Sequence, residues 1–404
     1  MTAYSVIIVS YRPGEWLVSS LESVIHRADE VIVVDNASPG REAGEIGRRI
    51  GARVVHSARN LGFAGGVAAG LAAARGDVIG VLNDDARAGA DWLPSAAAVL
   101  EDPDVAAVTP KVVLDVPYME LVVPGETWFA PGDARPLGRQ IRALTVDGRD
   151  VLEAAVGGGI HDLETGEGGD RWRWTAGSRP FYVPVAGGVG AGDVRADGES
   201  VVAGPVVTLV NHAGSFLRGH GIAGEYGFAA PDDGRFDTPA ERFGFSGTAP
   251  VFRARTLERL GGFAPQFFAY NEDTDWCLRA RLAGLRVMYD PGVTVRHRLS
   301  ATSGGSAAAG VRHLSQRNAL LCLVRNAPLG LARREVQQRL GRGLSDPVAR
   351  DLLRHLPWAL ASRAALSRAW ERRPQEIWSL WADRDTSWDD SPARPTPTSG
   401  ERRG

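Results

Sequence analysis

The sequence predicts a mixed α/β protein built around a parallel sheet. Over residues 4–115, short apolar runs rich in β-branched residues alternate with segments of helical spacing. Polar residues follow several of the predicted strands, and ligands of open α/β sheets bind at such strand ends. Further along, a region rich in turn signals and an arginine-rich helical region interrupt this pattern.

The composition narrows the class of protein. The 404 residues allow two or three domains, and 44% hydrophobic and 23% charged residues are ordinary for a soluble globular chain. A net charge of -2 gives no reason to expect nucleic-acid binding. Two cysteines, no signal-peptide pattern and no apolar run of ~18 residues lead us to expect a cytoplasmic protein.

The predicted elements of the first part follow one another in βαβ order. They are strands over 6–10, 30–35, 52–56 and 77–82 and helices over 16–26 and 64–75. Right-handed crossovers between parallel strands place the ends of these strands along one edge of the sheet.

The chain divides by composition into five segments. Turn signals and abundant Gly, Pro, Val and Trp predict a β-rich insertion in the second segment, and mixed character returns in the third. The fourth is predicted to be helical, and the fifth, rich in Pro, Ser, Thr and Gly, to be a disordered tail. The predicted segments are 1–115, 116–210, 211–310, 311–384 and 385–404.

Asp84 and Asp85 lie in the motif Asn83-Asp84-Asp85, which directly follows the apolar run 77–82. Two adjacent carboxylates at the end of a buried strand are unfavourable unless something cationic meets them. Such oxygen ligands suit Mg²⁺ or Mn²⁺, which commonly bridge a few protein carboxylates and substrate phosphates. A solvated turn is the alternative, because Asn and Asp are ordinary turn residues.

Two further features follow predicted strands. Asp35 ends the second strand, where it can accept a hydrogen bond from a nucleobase or ribose, or instead cap a turn. A glycine-rich turn at 60–66 precedes a predicted helix, so its backbone can approach a ligand closely and the helix N-terminus favours anions. This turn is neither a dinucleotide fingerprint nor a P-loop.

A second acidic cluster, Glu272, Asp273 and Asp275, opens a predicted helix over 271–284. Arg279 lies four residues after Asp275 and can pair with it, which gives that aspartate a structural role. Either Glu272 or Asp273 is then available to abstract a proton. The alternative is an acidic first turn favoured by the helix dipole.

His297 follows the second of two predicted strands, over 286–289 and 291–296. Neutral imidazole is a common metal ligand, and a structural histidine is the alternative. The segment 300–306 after it is either a mobile lid or a linker.

Taken together, these motifs resemble a family 2 glycosyltransferase of the GT-A fold. The resemblance covers residues 4–115 and 243–325, and it depends on the order and spacing of the motifs rather than on any one of them. They are most similar to the bacterial rhamnosyltransferase-like and galactofuranosyltransferase-like enzymes of cell-wall polysaccharide assembly. The matching segments are 6–11, 33–38, 60–66, 82–86, 245–247, 261–263 and 271–279.

The resemblance implies a GT-A core, Rossmann-like in its nucleotide-binding half, and a role for each matching residue. The implied general base is Asp273, and the implied ligands of Mg²⁺ or Mn²⁺ are Asp85 and His297. The residues implied to bind the nucleotide sugar are Asp35, Asn60, Gly62, Gly65 and Asp84. The supporting residues are Glu272, Asp275 and Arg279.

The implied reaction is a single, inverting displacement. It moves a hexosyl or deoxyhexosyl group from a dTDP- or UDP-sugar donor to a hydroxyl of a saccharide or lipid-linked saccharide acceptor. Val67 departs from the family pattern, since many relatives carry asparagine after the paired glycines.

Other interpretations stay open. A nucleotidyltransferase also uses an α/β sheet with acidic residues and Mg²⁺, although 10–14 match its glycine-rich N-terminal loop poorly. A non-enzymatic nucleotide-sugar-binding scaffold is a third interpretation. The arginine-rich helices with Trp358, Trp370, Trp378 and Trp381 either rest on the inner face of the membrane or form a cap on the catalytic domain. The sequence does not indicate an oligomeric state.

Overall fold

The computed structural model describes residues 2–185, 192–219, 221–298 and 309–383. Its first part alternates strands and helices, as the βαβ pattern predicts. These elements are β1 (Tyr4–Ser10), α1 (Trp16–Glu22), β2 (Glu30–Asp35), α2 (Glu42–Ile50), β3 (Arg53–His56), α3 (Gly62–Leu71), β4 (Val78–Asn83), β5 (Ala86–Ala88), α4 (Trp92–Val99) and β6 (Val105–Leu114).

In the next part, the described residues form short strands and one short 3₁₀ turn, Glu167–Gly169. Two of its hairpins turn through Asp-Gly pairs, at 147–148 and 197–198, where all four residues have positive φ. The strands are β7 (Tyr118–Leu121), β8 (Gln140–Ile141), β9 (Leu144–Val146), β10 (Arg149–Asp150), β11 (Glu164–Thr165), β12 (Arg171–Trp174), β13 (Phe181–Pro184), β14 (Val194–Ala196), β15 (Glu199–Ser200) and β16 (Ala203–Val207).

The remainder returns to the central sheet and then ends in helices. The elements that precede the C-terminal helices are β17 (Val210–His212), β18 (Ser215–Arg218), β19 (Ala223–Glu225), β20 (Ala240–Arg242), β21 (Val251–Arg253), α5 (Ala254–Leu260), α6 (Glu272–Leu282) and β22 (Arg286–His297). Of these strands, β18 and β19 form a separate small sheet with β23. The C-terminal elements are α7 (Ala309–Asn326), α8 (Leu329–Leu340), α9 (Pro347–Leu366), α10 (Pro374–Trp381) and β23 (Ala382–Asp383).

A ten-stranded mixed sheet holds the molecule together. Its main path runs β3-β2-β1-β4-β21-β6-β22-β20, while β17 pairs with β6 and β5 pairs with β22. The first four strands of this path are parallel, β21 enters antiparallel between β4 and β6, and β22 runs parallel to β6. The carboxyl ends of β1, β2 and β4 therefore meet at one edge, which is where the predicted site residues lie.

Both faces of the sheet are covered, which explains why its strands are apolar on both sides. In β1, Ile7 and Val9 face a core that includes side chains of α3, α5, α6 and the C-terminal helices. Val6 and Ile8 face the opposite core, shared with α1, α2 and α4. The strands of 118–207 bury a separate apolar cluster of their own.

The structure confirms the predicted mixed α/β class, with short strands in the second segment and helices near the C-terminus. It differs at β22, which is one strand with a register shift between Asp290 and Thr294, where two strands were predicted. Pro291 has no N–H to donate, so the chain bulges there and pairing resumes beyond it. Helix α1 also ends earlier than predicted, at Glu22.

The five segment boundaries stay predictions. The predicted disordered tail at 385–404 and the segment 300–306 lie outside the described residues. Among the helices of the described residues, none combines the length and the apolar character needed to cross a membrane.

Candidate active site

Asp85 and His297 come together at the carboxyl end of β4. Strand β5 starts directly after Asp85 and pairs antiparallel with the end of β22, with His297 opposite Ala86. The Arg298 N–H donates to the carbonyl oxygen of Asp85 at 3.1 Å. This pairing brings His297 Nε2 to 3.1 Å from Asp85 Oδ1, although more than two hundred residues separate them in the chain.

The tautomer of His297 follows from its second nitrogen. Nδ1 lies 2.8 Å from Asn211 Oδ1, and an amide oxygen can only accept, so Nδ1 carries a proton. In the neutral ring Nε2 then presents a lone pair toward Asp85. An orienting partner on the far nitrogen is the usual arrangement for a metal-binding histidine.

The pair of Asp85 and His297 fits Mg²⁺ or Mn²⁺. Two ligands about 2.1 Å from an octahedral ion and at right angles lie roughly 3 Å apart, as Asp85 Oδ1 and His297 Nε2 do. Within the described residues, no group of three or more His, Cys, Asp or Glu residues could hold a metal ion. Two protein ligands suit an ion that takes its other ligands from water and substrate phosphates.

Asp84 turns away from this pair toward the end of β1. Its Oδ2 accepts a hydrogen bond from Ser10 Oγ at 2.6 Å. Burial, aided by the neighbouring charge of Asp85, raises the pKa of Asp84 to about 6. The two adjacent carboxylates therefore have different surroundings, with Asp85 beside an imidazole and Asp84 beside a hydroxyl.

Asp35 is deeply buried and partnered within the chain. Its Oδ1 accepts from the Ser38 N–H at 2.8 Å, and its Oδ2 lies 3.2 Å from His56 Nδ1. Only 1% of its surface is exposed. The structure thus shows the turn-forming role that the sequence left as an alternative, and nucleotide binding by Asp35 stays a prediction.

Asn36 fixes the glycine-rich turn to the end of β2. Its Nδ2 donates to Asn60 Oδ1 and to the Gly62 carbonyl oxygen, both at 3.0 Å, and its Oδ1 accepts from the Leu61 N–H at 2.8 Å. Asn60 Oδ1 also accepts from the Gly62 N–H at 2.8 Å. The Asn60 oxygen is therefore used in shaping the turn.

Close packing explains the glycines of this turn. Gly62 has φ 71°, and a β-carbon there would lie 2.2 Å from the Phe268 carbonyl oxygen. At Gly65 a β-carbon would lie 2.7 Å from Leu61 Cβ, and at Gly66 2.4 Å from Val9 Cγ1. These glycines let α3 press against β1 and the 268 loop, and their contact with a nucleotide sugar stays a prediction.

Asp275, in the acidic cluster of α6, is a structural residue, as predicted. It accepts from Arg279 Nε at 3.0 Å, from Arg325 Nε at 2.7 Å and from Asn326 Nδ2 at 2.8 Å, and it is fully buried. Burial opposes its charge, but Arg325 and Arg279 hold the pKa of Asp275 below its ordinary value. This network joins α6 to α7.

Asp273 has no arginine or lysine partner among the described residues. The Thr274 N–H donates to its Oδ1 at 2.6 Å, and the Gly247 N–H donates to its Oδ2 at 3.1 Å. Burial raises the pKa of Asp273, and it raises the pKa of Glu272 well above its ordinary value, with the Asp273 charge adding to the shift. These hydrogen bonds do not neutralise the negative charge of Asp273, so its carboxylate can accept a proton.

A short loop connects this carboxylate to the Asp85 edge. The Asn83 N–H at the end of β4 donates to the Thr248 carbonyl oxygen at 2.9 Å. One residue earlier, Gly247 donates its N–H to Asp273. The structure therefore connects the two acidic motifs, predicted separately from the sequence, through adjacent residues of one loop.

The sequence analysis missed Asn211 and Ser10 as partners of the site residues. Asn211 lies in β17 with no motif around it, and only the pairing of β17 with β6 carries it to His297. Ser10 ends the first strand, and its position at the same strand edge as Asp84 is the signal that could have identified it.

Comparison with known proteins agrees with this architecture. Residues 5–123 match the family model described as Glycosyl transferase family 2. The match includes Asp35, Asp84 and Asp85 and ends well before α6. The first part of the chain is therefore similar to a family 2 glycosyltransferase domain. No curated protein matches the chain significantly.

The chain is similar to several solved glycosyltransferases. GalNAc-T7 with UDP, GalNAc and Mn²⁺ has a TM-score of 0.49 at 15% identity, over 94% of this chain and 58% of its own. The mannosyltransferase PcManGT of Pyrobaculum calidifontis, with GDP-Man and Mn²⁺, has a TM-score of 0.38 at 17% identity. The match covers 94% of this chain and 78% of PcManGT. Glucosyl-3-phosphoglycerate synthase of Mycobacterium tuberculosis has a TM-score of 0.25 at 21% identity. The match covers 28% of this chain and 43% of the synthase.

This chain thus spans little more than half the length of GalNAc-T7. Likenesses with TM-scores below 0.5 and identities below 25% do not define a shared donor, acceptor or metal.

Proposed function

We propose that this protein is a metal-dependent, inverting glycosyltransferase that uses a nucleotide-diphosphate sugar. The observation that carries the proposal is the 3.1 Å approach of Asp85 Oδ1 and His297 Nε2 at the carboxyl end of β4. The family 2 match over 5–123 supports it, because it includes Asp85 and the strands that position it.

Asp85 and His297 would hold Mg²⁺ or Mn²⁺, with Asn211 fixing the imidazole. The cation would offset the negative charge that a diphosphate leaving group develops. Asp84 and Asp35 lie at the ends of β4 and β2, the two strands that flank β1, on the side proposed for the nucleoside and diphosphate. The donor bases we favour are uracil and thymine, on the sequence resemblance alone.

Asp273 would accept the proton of the acceptor hydroxyl as that oxygen attacks the donor sugar from the face opposite the diphosphate. Its two backbone hydrogen bonds, from Thr274 and Gly247, keep the carboxylate in one orientation. A single displacement of this kind inverts the anomeric centre and needs no covalent sugar–enzyme intermediate.

For the acceptor we propose a saccharide hydroxyl of a cell-wall or polysaccharide intermediate, including a polyprenyl-linked one. The rhamnosyl-like or galactofuranosyl-like branch rests on the sequence resemblance, and a peripheral position on the inner membrane face rests on the arginine-rich character of the C-terminal helices. The C-terminal tryptophans give membrane contact no support, since they pack inward. Trp358 lies edge-on to Phe267, and Trp381 stacks with Arg281.

The proposal is tested by titrating the full chain with UDP and dTDP, with and without Mn²⁺. In wild type, Mn²⁺ should strengthen nucleotide binding, and Asp85→Ala should abolish that gain because the cation loses a ligand. Asp91→Ala, which removes an exposed carboxylate after the next strand, β5, is the matched control and should bind like wild type. If Asp85→Ala keeps the Mn²⁺-dependent gain in nucleotide affinity, Asp85 is not a metal ligand.

A further inference from the structure

Loop 267–271, directly before α6, has a strained backbone. Its residues Phe268, Tyr270 and Asn271 have φ of 66°, 73° and 63°. Phe268 also has ψ −67°, and across it the Ala269 N–H donates to the carbonyl oxygen two residues earlier at 2.8 Å. This is the rare, strained form of the γ-turn. Residues with a β-carbon keep such conformations only where the surrounding structure holds them there.

Asn318, on α7, holds this loop from one side. It is fully buried, and its Nδ2 donates to the carbonyl oxygens of Phe267, Ala269 and Tyr270, at 2.8, 2.7 and 2.7 Å. Arg317 Nε donates to Asn318 Oδ1 at 2.9 Å, which fixes the orientation of the amide. One side chain of the C-terminal helical region therefore bonds to three carbonyl groups of the strained loop.

The same loop joins the glycine-rich turn to the helix that contains Asp273. The Phe268 carbonyl oxygen accepts from the Ala64 N–H, in the first turn of α3, at 3.0 Å. At the other end of the loop, the Asn271 carbonyl oxygen accepts from the Asp275 N–H at 3.0 Å. Asp273 lies between these last two residues, so the conformation of the loop sets the position of its backbone.

A second contact connects the glycine-rich turn to the Asp273 carboxylate. A β-carbon at Gly247 would lie 3.0 Å from Phe63 Cε1, so the backbone at Gly247 packs directly on the Phe63 ring. The Gly247 N–H in turn donates to Asp273 Oδ2 at 3.1 Å. The turn thus reaches Asp273 both through loop 267–271 and through Gly247, and a shift of the loop moves the carboxylate relative to the turn.

We propose that Asn318 is a positioning residue of the transfer reaction. It holds loop 267–271 in its strained conformation and thereby fixes Asp273 relative to the glycine-rich turn. The proposal rests on the proposed function, in which Asp273 takes the proton of the acceptor hydroxyl. The C-terminal helical region then contributes to the reaction as well as to stability, because a displacement of about 1 Å in such a site can lower the rate by roughly 10²-fold.

The test measures nucleotide release by the full chain with Mn²⁺. The donors are UDP-glucose, UDP-galactose and dTDP-rhamnose, and the acceptors are the methyl glycosides of glucose, galactose and mannose. Asn318→Ala should lower kcat by roughly 10²-fold, because the released loop no longer holds the base in place. Its affinity for UDP with Mn²⁺ should stay near that of wild type, since the pairing of β5 with β22 positions Asp85 and His297. An unchanged kcat overturns the proposal.

Asn326→Ala is the matched control. Asn326 lies on the same helix and is equally buried, but its Nδ2 donates to Asp275 Oδ1 rather than to the loop. Both variants should lose stability in urea, whereas kcat should fall only in Asn318→Ala. The Gly247 amide should likewise exchange its hydrogen faster only in Asn318→Ala. An equal fall of kcat in the two variants assigns the effect to lost stability and contradicts the proposal.

A double-mutant cycle separates positioning from stability. Tyr270→Gly permits the φ of 73° without strain, because glycine has no β-carbon. In that background the loop needs less support, and Asn318→Ala should lower kcat by only about tenfold relative to Tyr270→Gly alone. A loss as large as that in the wild-type background shows that Asn318 does not act through the strained loop.

Asn271→Ala decides the question if Asn318→Ala does not fold. It removes the hydrogen bond from Asn271 Nδ2 to the Ser315 carbonyl oxygen on α7, at 3.2 Å. Alanine also adopts a φ of 63° less readily than asparagine does. The kcat should therefore fall by about tenfold while binding of UDP with Mn²⁺ persists. A kcat equal to that of wild type rejects the positioning role of the loop.

The two proposals fail in different ways. If wild type releases nucleotide from none of the donors, the proposed function fails and the positioning role fails with it. If wild type turns over a donor and Asn318→Ala does so at the same rate, only the positioning role fails.

Discussion

Asp273 and Asp275 lie two residues apart on α6, and their surroundings differ in charge. Asp275 is enclosed by Arg279, Arg325 and Asn326 at the joint between the sheet and the C-terminal helices. Among the described residues, Asp273 is held by two backbone N–H groups and one hydroxyl, beside Glu272. Two residues turn an α-helix by about 200°, so the two side chains leave on opposite sides. One motif thereby supplies both a structural anchor and a group free to take a proton.

The largest effect should come from breaking the anchor. Asp275→Ala leaves two buried guanidinium groups without their carboxylate, and we expect a loss of about 3–5 kcal/mol in the free energy of unfolding. Urea denaturation measures this. Asp273→Asn serves as the comparison and should change stability by less than about 1 kcal/mol. If the two variants lose equal amounts of stability, Asp275 is no more of a structural anchor than Asp273.

The reverse pattern is expected for activity. Asp273→Asn should lower transfer from a nucleotide sugar by about 10³-fold, because the amide cannot take the acceptor proton. Its affinity for Mn²⁺ and nucleotide should stay near that of wild type, as measured by titration. Near-normal turnover would place the base elsewhere, with Glu272 as the next residue to test.

A smaller effect is expected when the anchor loses only a neutral partner. Asn326 donates to Asp275 Oδ1 at 2.8 Å and is fully buried. Asn326→Ala should cost about 1.5–3 kcal/mol of stability, the range for a hydrogen bond to a charged group. Gln338→Ala, exposed on α8, is the control and should be close to neutral. A loss as large as that of Asp275→Ala would show that the arginines contribute little.

The smallest expected effect is a pH dependence of the free energy of unfolding, which arises from Glu225. Burial raises the pKa of Glu225 from 4.5 to about 8, so the folded chain keeps a proton that the unfolded chain releases. Stability contributed by the protonated carboxyl is complete below about pH 4.5 and is lost as the pH rises toward 8.

Relative to Glu225→Gln, wild type should therefore lose roughly 1 kcal/mol between pH 5 and 8, a figure reduced for its partial exposure. Urea denaturation of both proteins at the two pH values provides the measurement. If the difference in the free energy of unfolding between the two proteins is the same at both pH values, or shifts in favour of wild type at pH 8, Glu225 is ionised throughout this range.

The site could be predicted from the sequence where local pattern decides the structure. The strands before Asp35 and Asp84 are short apolar runs, and the Asp275–Arg279 pair follows from helical spacing. Asn211 carries no such signal. It reaches the site through the antiparallel pairing of β17 with β6, which follows a long insertion.

The glycine-rich turn shows the limits of reading a motif by itself. Sequence reasoning assigned its glycines to a ligand, whereas Gly62, Gly65 and Gly66 are each required by an adjacent side chain or carbonyl group. A missing β-carbon fits both explanations, and only the neighbouring atoms distinguish them.

By itself, the sequence determined the α/β class, the strand ends that carry Asp84 and Asp85, and the acidic start of α6. These follow from hydrophobic periodicity and from the high free energy of burying carboxylates without partners. The tertiary structure alone decided that His297 stands beside Asp85 and that Arg325 neutralises Asp275. Each of these depends on contacts between residues far apart in the chain, and local pattern holds no information about which distant strands and helices meet.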